Sequence, residues 1–198
     1  MATRPSSGRA TSTSVVSSVK PPTSIHPSAV VAEKAQLVGT HNIEIGENTI
    51  LHPYVKIRAE GGPVKIGRDV TISETAVVGL PADRTTGEED EVEIEEGASI
   101  ESGAEVMARC IGAHSIIEVK ASIGKGAMIG KYCRIAPMTE IKAGDEIPDY
   151  TVTFGHDQRR MDRTLASNPS IRDARLRGHA MEIDLLKKLI PNAAEKWR

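Results

Sequence analysis

Six histidines, two cysteines and a set of spaced carboxylates are the residues of this chain with the chemistry to do catalysis. A zinc site needs three ligands converging on one ion, usually imidazoles. His26, His41, His52, His114, His156 and His179 are scattered, and none pair at close helical spacing. His26 and His52 each precede a proline, which fits a turn role better than a ligand role. Cys110 and Cys133 form no CxxC pair and read as small inward residues of a reduced, cytosolic protein. Glu101 and Glu118, with Glu74 nearby, are spaced to approach one another, and two close carboxylates can act as acid and base. With no nucleophile or metal ligand near them in sequence, they read as water-facing. Gly61-Gly62-Pro63 is a corner insertion rather than a phosphate cradle. Catalytic, cofactor-binding and metal residues are accordingly expected to be absent.

The element that must position these residues is a ladder. From Ile94 to Ile147 an aliphatic residue recurs at nearly every sixth position, and a small residue such as Ala98, Ala104, Ala121, Ala127, Cys133 or Thr139 sits two places earlier. That period fits neither a 3.6-residue helix nor a lone alternating strand; it is the hexapeptide signature of a parallel β-helix. In a three-sided register the inward positions are Ile25, Val31, Leu37; Ile45, Leu51, Ile57; Ile66, Ile72, Val78; Ile94, Ile100, Val106; Ile111, Ile117, Ile123; Ile129, Ile135, Ile141; and Ile147. Every irregular step, 37 to 45, 57 to 66, 78 to 94 and 106 to 111, falls between coils, so all insertions emerge at one vertex. In this register no histidine stacks on another. Gly46, Asn48, Gly67, Gly124 and Gly130 are assigned to turns whose backbone angles other residues resist.

The fold class is therefore all-β, a three-sided parallel β-helix of about six to seven coils with a C-terminal α-helix. A thin bore of Ile, Val and Ala accounts for aromatics at 3%. A net charge of -2 supplies no basic field for nucleic acid, no apolar run reaches the length of a membrane span, and the N-terminus lacks a signal-peptide core. Residues 1–23, rich in Ser, Thr and Pro, read as a disordered tail; 24–155 as the β-helix, with a corner loop over 79–91; 156–175 as a linker; and 176–198 as a helical segment. The acidic run of that loop, Glu88, Glu89 and Asp90 with its neighbours, is a candidate partner contact. In the helix, from about Leu176 to Ile190, one side carries Leu176, Ile183, Leu186 and Ile190; Asp184, Lys187 and Lys188 mark the wet side, and Pro191 ends it. Met181, Leu185 and Leu189 widen the apolar arc beyond a single stripe, and these are the partner-binding residues expected on the helix.

Hexad β-helices include acyltransferases and gamma-class carbonic anhydrases. The chain resembles the latter around Thr71 to Val78 and Ser99 to Ala108, but the positions matching the three zinc histidines hold Gly79, Ser102 and Met107. The loop Gly79 to Glu91 contains no histidine to serve as an acyltransferase base. A more specific likeness runs from Ile45-Gly46-Glu47-Asn48 through His52-Pro53 and Ala59-Glu60-Gly61-Gly62-Pro63 to Ile66-Gly67. With Ile116-Ile117-Glu118-Val119-Lys120-Ala121 and the closing Leu185-Leu186-Lys187-Lys188-Leu189-Ile190-Pro191-Asn192, it resembles the dynactin subunit 6 family over about residues 24–198. That resemblance implies left-handed winding and a non-enzymatic, cofactor-free, cytoplasmic and cytoskeleton-associated subunit of the dynactin pointed-end complex. It implies pairing with dynactin subunit 5, joined by subunit 4 and the pointed-end actin-related protein, in support of cytoplasmic dynein and its cargo adaptors. The alternative is a β-helical enzyme, gamma carbonic anhydrase-like or acyl-transferring.

Overall fold

A computed structural model describes residues 20–82 and 90–198. Three parallel faces wind around one bore. Face I stacks seven strands, from Thr23–Ile25 to Glu146–Ile147; face III stacks six, from Gln36–Gly39 to Glu140–Ile141. Face II holds eight, of which Gln158–Met161 turns back antiparallel on Thr151–Phe154.

The register follows the hexads. Ile25, Ile45, Ile66, Ile94, Ile111, Ile129 and Ile147 are aligned up face I. Val31, Leu51, Ile72, Ile100, Ile117 and Ile135 climb face II, ending at Thr153. Leu37, Ile57, Val78, Val106, Ile123 and Ile141 climb face III. All but Ile25 are buried, as are Ala98, Ala104, Ala121, Ala127, Cys133 and Thr139 at the narrow corners. Each inward aliphatic contributes about 1.5–3 kcal/mol on burial.

The corners form ladders of their own. Between faces I and II, Asn48, Asp69, Gly97, His114, Tyr132 and Tyr150 recur one per coil, all at positive φ. A left-handed backbone costs a non-glycine residue about 1–2 kcal/mol. It is held here because each corner N–H donates to the coil below: Asp69 to the Glu47 carbonyl, His114 to Glu96, Tyr132 to Ala113 and Tyr150 to Lys131. Among the glycines expected to supply unusual angles, Gly46, Gly67, Gly124 and Gly130 are not at positive φ; they are there for space. A Cβ on Gly46 would lie 2.6 Å from the Gly67 carbonyl carbon.

Cys133 is buried, but Cys110 is not an inward residue: it precedes inward Ile111 and pairs laterally with Glu93 and Met128, half-exposed on the outer surface. Residues 20–23 belong to the fold rather than to a tail, because the Pro22 carbonyl accepts from Ile43 N–H and Thr23 opens the first strand. The segment expected as a linker carries the antiparallel strand, a short helix α1 (Arg163–Ser167) and the first turns of α2 (Pro169–Leu189). The early start of α2 was invisible to apolar periodicity because its first two turns hold one large apolar residue, Ile171; Pro169 sits where a helix tolerates proline, at the first turn.

Candidate functional site

After its last coil the chain returns along the outside of face II. With 21 residues, α2 is about 31 Å long; the six steps between seven coils span about 29 Å. The helix therefore runs back almost the whole length of the stack. Ile183, with Leu186 and Ile190, packs on Val30 and Ile50. A second line of α2 side chains follows the corner ladder: Arg172 over the Tyr150 ring, His179 Nε2 to the Asp69 carbonyl at 2.7 Å, and Lys187 Nζ to Asn48 Oδ1. Lys187, expected on the wet side, is thus turned inward by an acceptor that only the fold supplies.

Beyond the helix, Asn192 closes the open end of the first coil. Its Oδ1 accepts from Val31 N–H at 3.1 Å, its Nδ2 donates to the Ala29 carbonyl at 3.0 Å, and Ala193 N–H donates to the Val31 carbonyl at 2.8 Å. Ala194 is buried in the mouth of the bore with Trp197 packed against it. Unpaired strand edges invite further strands, so this segment blunts one edge of face II.

The opposite side of α2 is uncovered. Met181 is 74% exposed, Leu185 55% and Leu189 65%, with Ile171 at 43%. Met181, Leu185 and Leu189 follow one another at four-residue steps, and with Ile171 they fall within an arc of about 80° on the helix surface. Of the acidic partner candidates, Asp90 forms an ion pair with Lys125 at 2.9 Å, while Glu88 and Glu89 lie outside the described residues.

The histidines and carboxylates are arranged differently from their sequence spacing. His26 is held in its turn by Ser28, 2.8 Å from Nδ1. His52 is half-buried beside Tyr54 and Leu189, and burial lowers its pKa. The His114 ring lies tilted against Tyr132, with centroids 5.0 Å apart and planes at 37°, and Tyr132 stacks on Tyr150 at 5.3 Å. Its Nδ1 lies over Gly97, where a Cβ would come within 2.1 Å, so the glycine makes room for the ring. α2 then brings His179 and Arg175 to the same cleft as His114, a grouping no sequence spacing could announce. Burial pushes the pKa of His114 down, and that of Arg175 as well.

Glu101 and Glu118 do occupy adjacent coils, but Ser73, not Glu74, lies below Glu101 and hydrogen-bonds to it. Glu118 is paired with Arg134. Burial first, then Glu182 and Glu118, raise the pKa of Glu101. Among the described residues no group of three or more His, Cys, Asp or Glu side chains is placed to hold a metal ion, and no helix is long and apolar enough to cross a membrane.

No protein-family model matches the chain. It is 28% identical to dynactin subunit 6 of Xenopus tropicalis over 173 residues, covering 85% of this chain and 81% of that one. Dynactin subunit 6 of Nematostella vectensis is 28% identical over 169 residues, covering 83% and 86%; that of Danio rerio is 29% identical over 170 residues, covering 83% and 82%. In fold, the chain resembles a solved hexapeptide transferase family protein from Anaplasma phagocytophilum, with a TM-score of 0.68 over 83% of this chain and 90% of that one, at 14% identity. The hexad ladder, its three-faced register and the likeness to that solved structure give the chain the hexapeptide-repeat parallel β-helix fold, and three relatives that it matches by sequence are dynactin subunit 6 proteins.

Proposed function

We propose that this protein is a non-enzymatic structural subunit of a dynactin complex, working at the pointed end. In this reading it pairs with dynactin subunit 5, beside subunit 4 and the pointed-end actin-related protein, in the cytoplasm, and supports dynein and its cargo adaptors. The observation that carries the reading is sequence likeness to dynactin subunit 6 along more than four fifths of each relative's length. The transferase likeness is one of fold at 14% identity, and fold alone does not assign chemistry.

The exposed line of Met181, Leu185 and Leu189 is the surface assigned to the partner. Large apolar side chains aligned on a helix gain when a neighbour covers them, and such anchors carry most of an interface's energy. Co-expression with a dynactin subunit 5 homologue is expected to yield a co-eluting pair on size exclusion. Leu185→Glu with Leu189→Glu is expected to leave the far-UV spectrum and thermal midpoint unchanged while weakening the pair by about tenfold or more. A wild-type chain that elutes alone, or a double variant that pairs as before, overturns the assignment. Carbon dioxide hydration by the purified chain with stoichiometric zinc would instead establish the enzymatic alternative.

A further inference from the structure

The outward side of α2 carries a seam. Ile171, Ala174, Gly178, Met181, Leu185 and Leu189 recur at steps of three and four, and all are exposed. They therefore stay within one narrow arc for about 27 Å of helix. Gly178 is the telling position. A Cβ built on it meets nothing within 4 Å, so no close contact among the described residues calls for glycine there. Glycine inside a helix is destabilising relative to alanine. What its bare backbone offers, with Ala174 one turn before it, is a hollow between Ile171 and Met181 where an opposing helix can come close. The two edges of the seam differ in charge. On one, Asp173 and Asp184 are mixed with Arg177 and Lys188, so that edge has no net sign. On the other, the Glu182 side chain is 59% exposed, with His179 Nδ1 at 3.9 Å. Past Glu182 the seam runs at Leu189 into a groove of about 390 Å³ between Pro191 and the Pro53-Tyr54 turn, bordered by Glu33 and Glu74. His52 lies close enough to Glu74 and Glu182 to be influenced by both. Lys34, which also lines the groove, donates to Tyr54 Oη at 2.7 Å with its ammonium over the ring.

We propose that the seam docks one helix of the protein's assembly partner, with its closest approach at Gly178. That helix carries Lys or Arg on the edge facing Glu182, Glu74 and Glu33, and a bulky apolar side chain that enters the groove at Leu189. The inference rests on the assembly reading above and adds to it the partner's secondary structure and charge. A helix is the element that fits, because its side chains repeat at the seam's own spacing, whereas a strand crossing α2 would meet the line at one or two points. The basic edge follows from the three carboxylates, since complementary charge fixes register and speeds encounter. A second copy of α2 offers this edge either its own acidic edge or the mixed one, and neither complements three carboxylates.

The test uses the purified full chain, alone and paired with the dynactin subunit 5 homologue, with affinity titrated at about 50 and about 300 mM salt. Gly178→Leu is expected to raise the thermal midpoint of the chain alone, since a helix former replaces glycine and its side chain enters open space, yet to weaken the pair by about tenfold or more. Gly178→Ala is expected to move both quantities in the same directions by less, and provides the comparison if the Leu variant does not fold. Glu74→Lys with Glu182→Lys is expected to weaken the pair by about tenfold at the lower salt and to abolish the parent's loss of affinity with salt. A pair that Gly178→Leu leaves as tight as before, or an affinity that neither salt nor the charge reversal changes, overturns this inference while the pairing itself stands. A chain that elutes without subunit 5 overturns the assembly reading and this inference with it. A concentration-dependent homodimer that Gly178→Leu breaks gives the seam to a second copy and overturns the choice of occupant.

Discussion

At the scale of single residues, steric fit at the corners sets the tolerance of this fold. Gly46 is adjacent to Gly67 in the next coil, and a methyl group on it would sit 2.6 Å from the Gly67 carbonyl carbon and 2.8 Å from Arg68 N. Backbone atoms on both sides cannot retreat without breaking the ladder. Gly46→Ala is therefore expected to destabilise by about 1–3 kcal/mol, seen as a lower urea midpoint. Gly126→Ala is the contrasting case: nothing lies within 4 Å of its Cβ position, but its φ is +72°, so any loss there comes from backbone strain alone.

Titration belongs to the same scale. Burial depresses the pKa of His114 below its ordinary 6.5. The folded protein then binds fewer protons than the unfolded chain once the pH falls below that value, so this contribution to stability is intact above about pH 6.5 and declines as pH falls toward the folded-state value. His52, also lowered by burial, acts in the same direction. Glu101 acts oppositely: its raised pKa disfavours the folded state at neutral pH, and that penalty fades as the carboxyl is protonated on acidification. His114→Gln is expected to flatten the loss of thermal midpoint on going from about pH 7 to about pH 5.5.

Among the elements, α2 and the segment after it do two separable jobs. The helix covers face II through Ile183, and Asn192 satisfies Val31 N–H and the Ala29 carbonyl at the open edge. Asn192→Ala leaves both backbone groups without those partners, at a cost of about 1–3 kcal/mol. Because the loss is at the end of the stack, hydrogen exchange is expected to quicken first at the Val30–Val31 strand while the central coils around Ile100 and Ile117 keep their protection. Uniform acceleration along the chain would contradict a local cap. The helix was half-legible in sequence. Its apolar periodicity marked Ile183, Leu186 and Ile190 on one side, but the polar groups Arg172, Arg175, His179 and Lys187 answer to a corner ladder that no helical wheel contains.

On the scale of the molecule, a β-helix is nearly one-dimensional: each coil touches the coils above and below, and stability accumulates along the stack. The return of α2 breaks that simplicity by joining the Tyr150 end to the Asn48 end along the outside. The last residues then seal the first coil, with Lys20 Nζ donating to the Lys196 carbonyl at 2.7 Å. The molecule thus presents three kinds of surface: charged outer faces, a helix whose inner side is used, and the exposed line of Met181, Leu185 and Leu189.

What the sequence determined by itself was the bore. A period of six is local information, and because every inward Ile or Val must find the same column, a single register buries them all; Ile117 between Ile100 and Ile135 is the pattern repeated. The vertex of insertions followed from the same arithmetic. What only the tertiary structure decided lies outside the bore, where no period constrains a side chain. Cys110 faced outward because it stood one place before an inward Ile111. The glycines at 46 and 67 answered to the coil stacked on them rather than to their own φ. The cleft of His114, Arg175 and His179 exists because a helix of about 31 Å lies back along a stack of nearly equal length, bringing together residues that the chain holds some 60 positions apart.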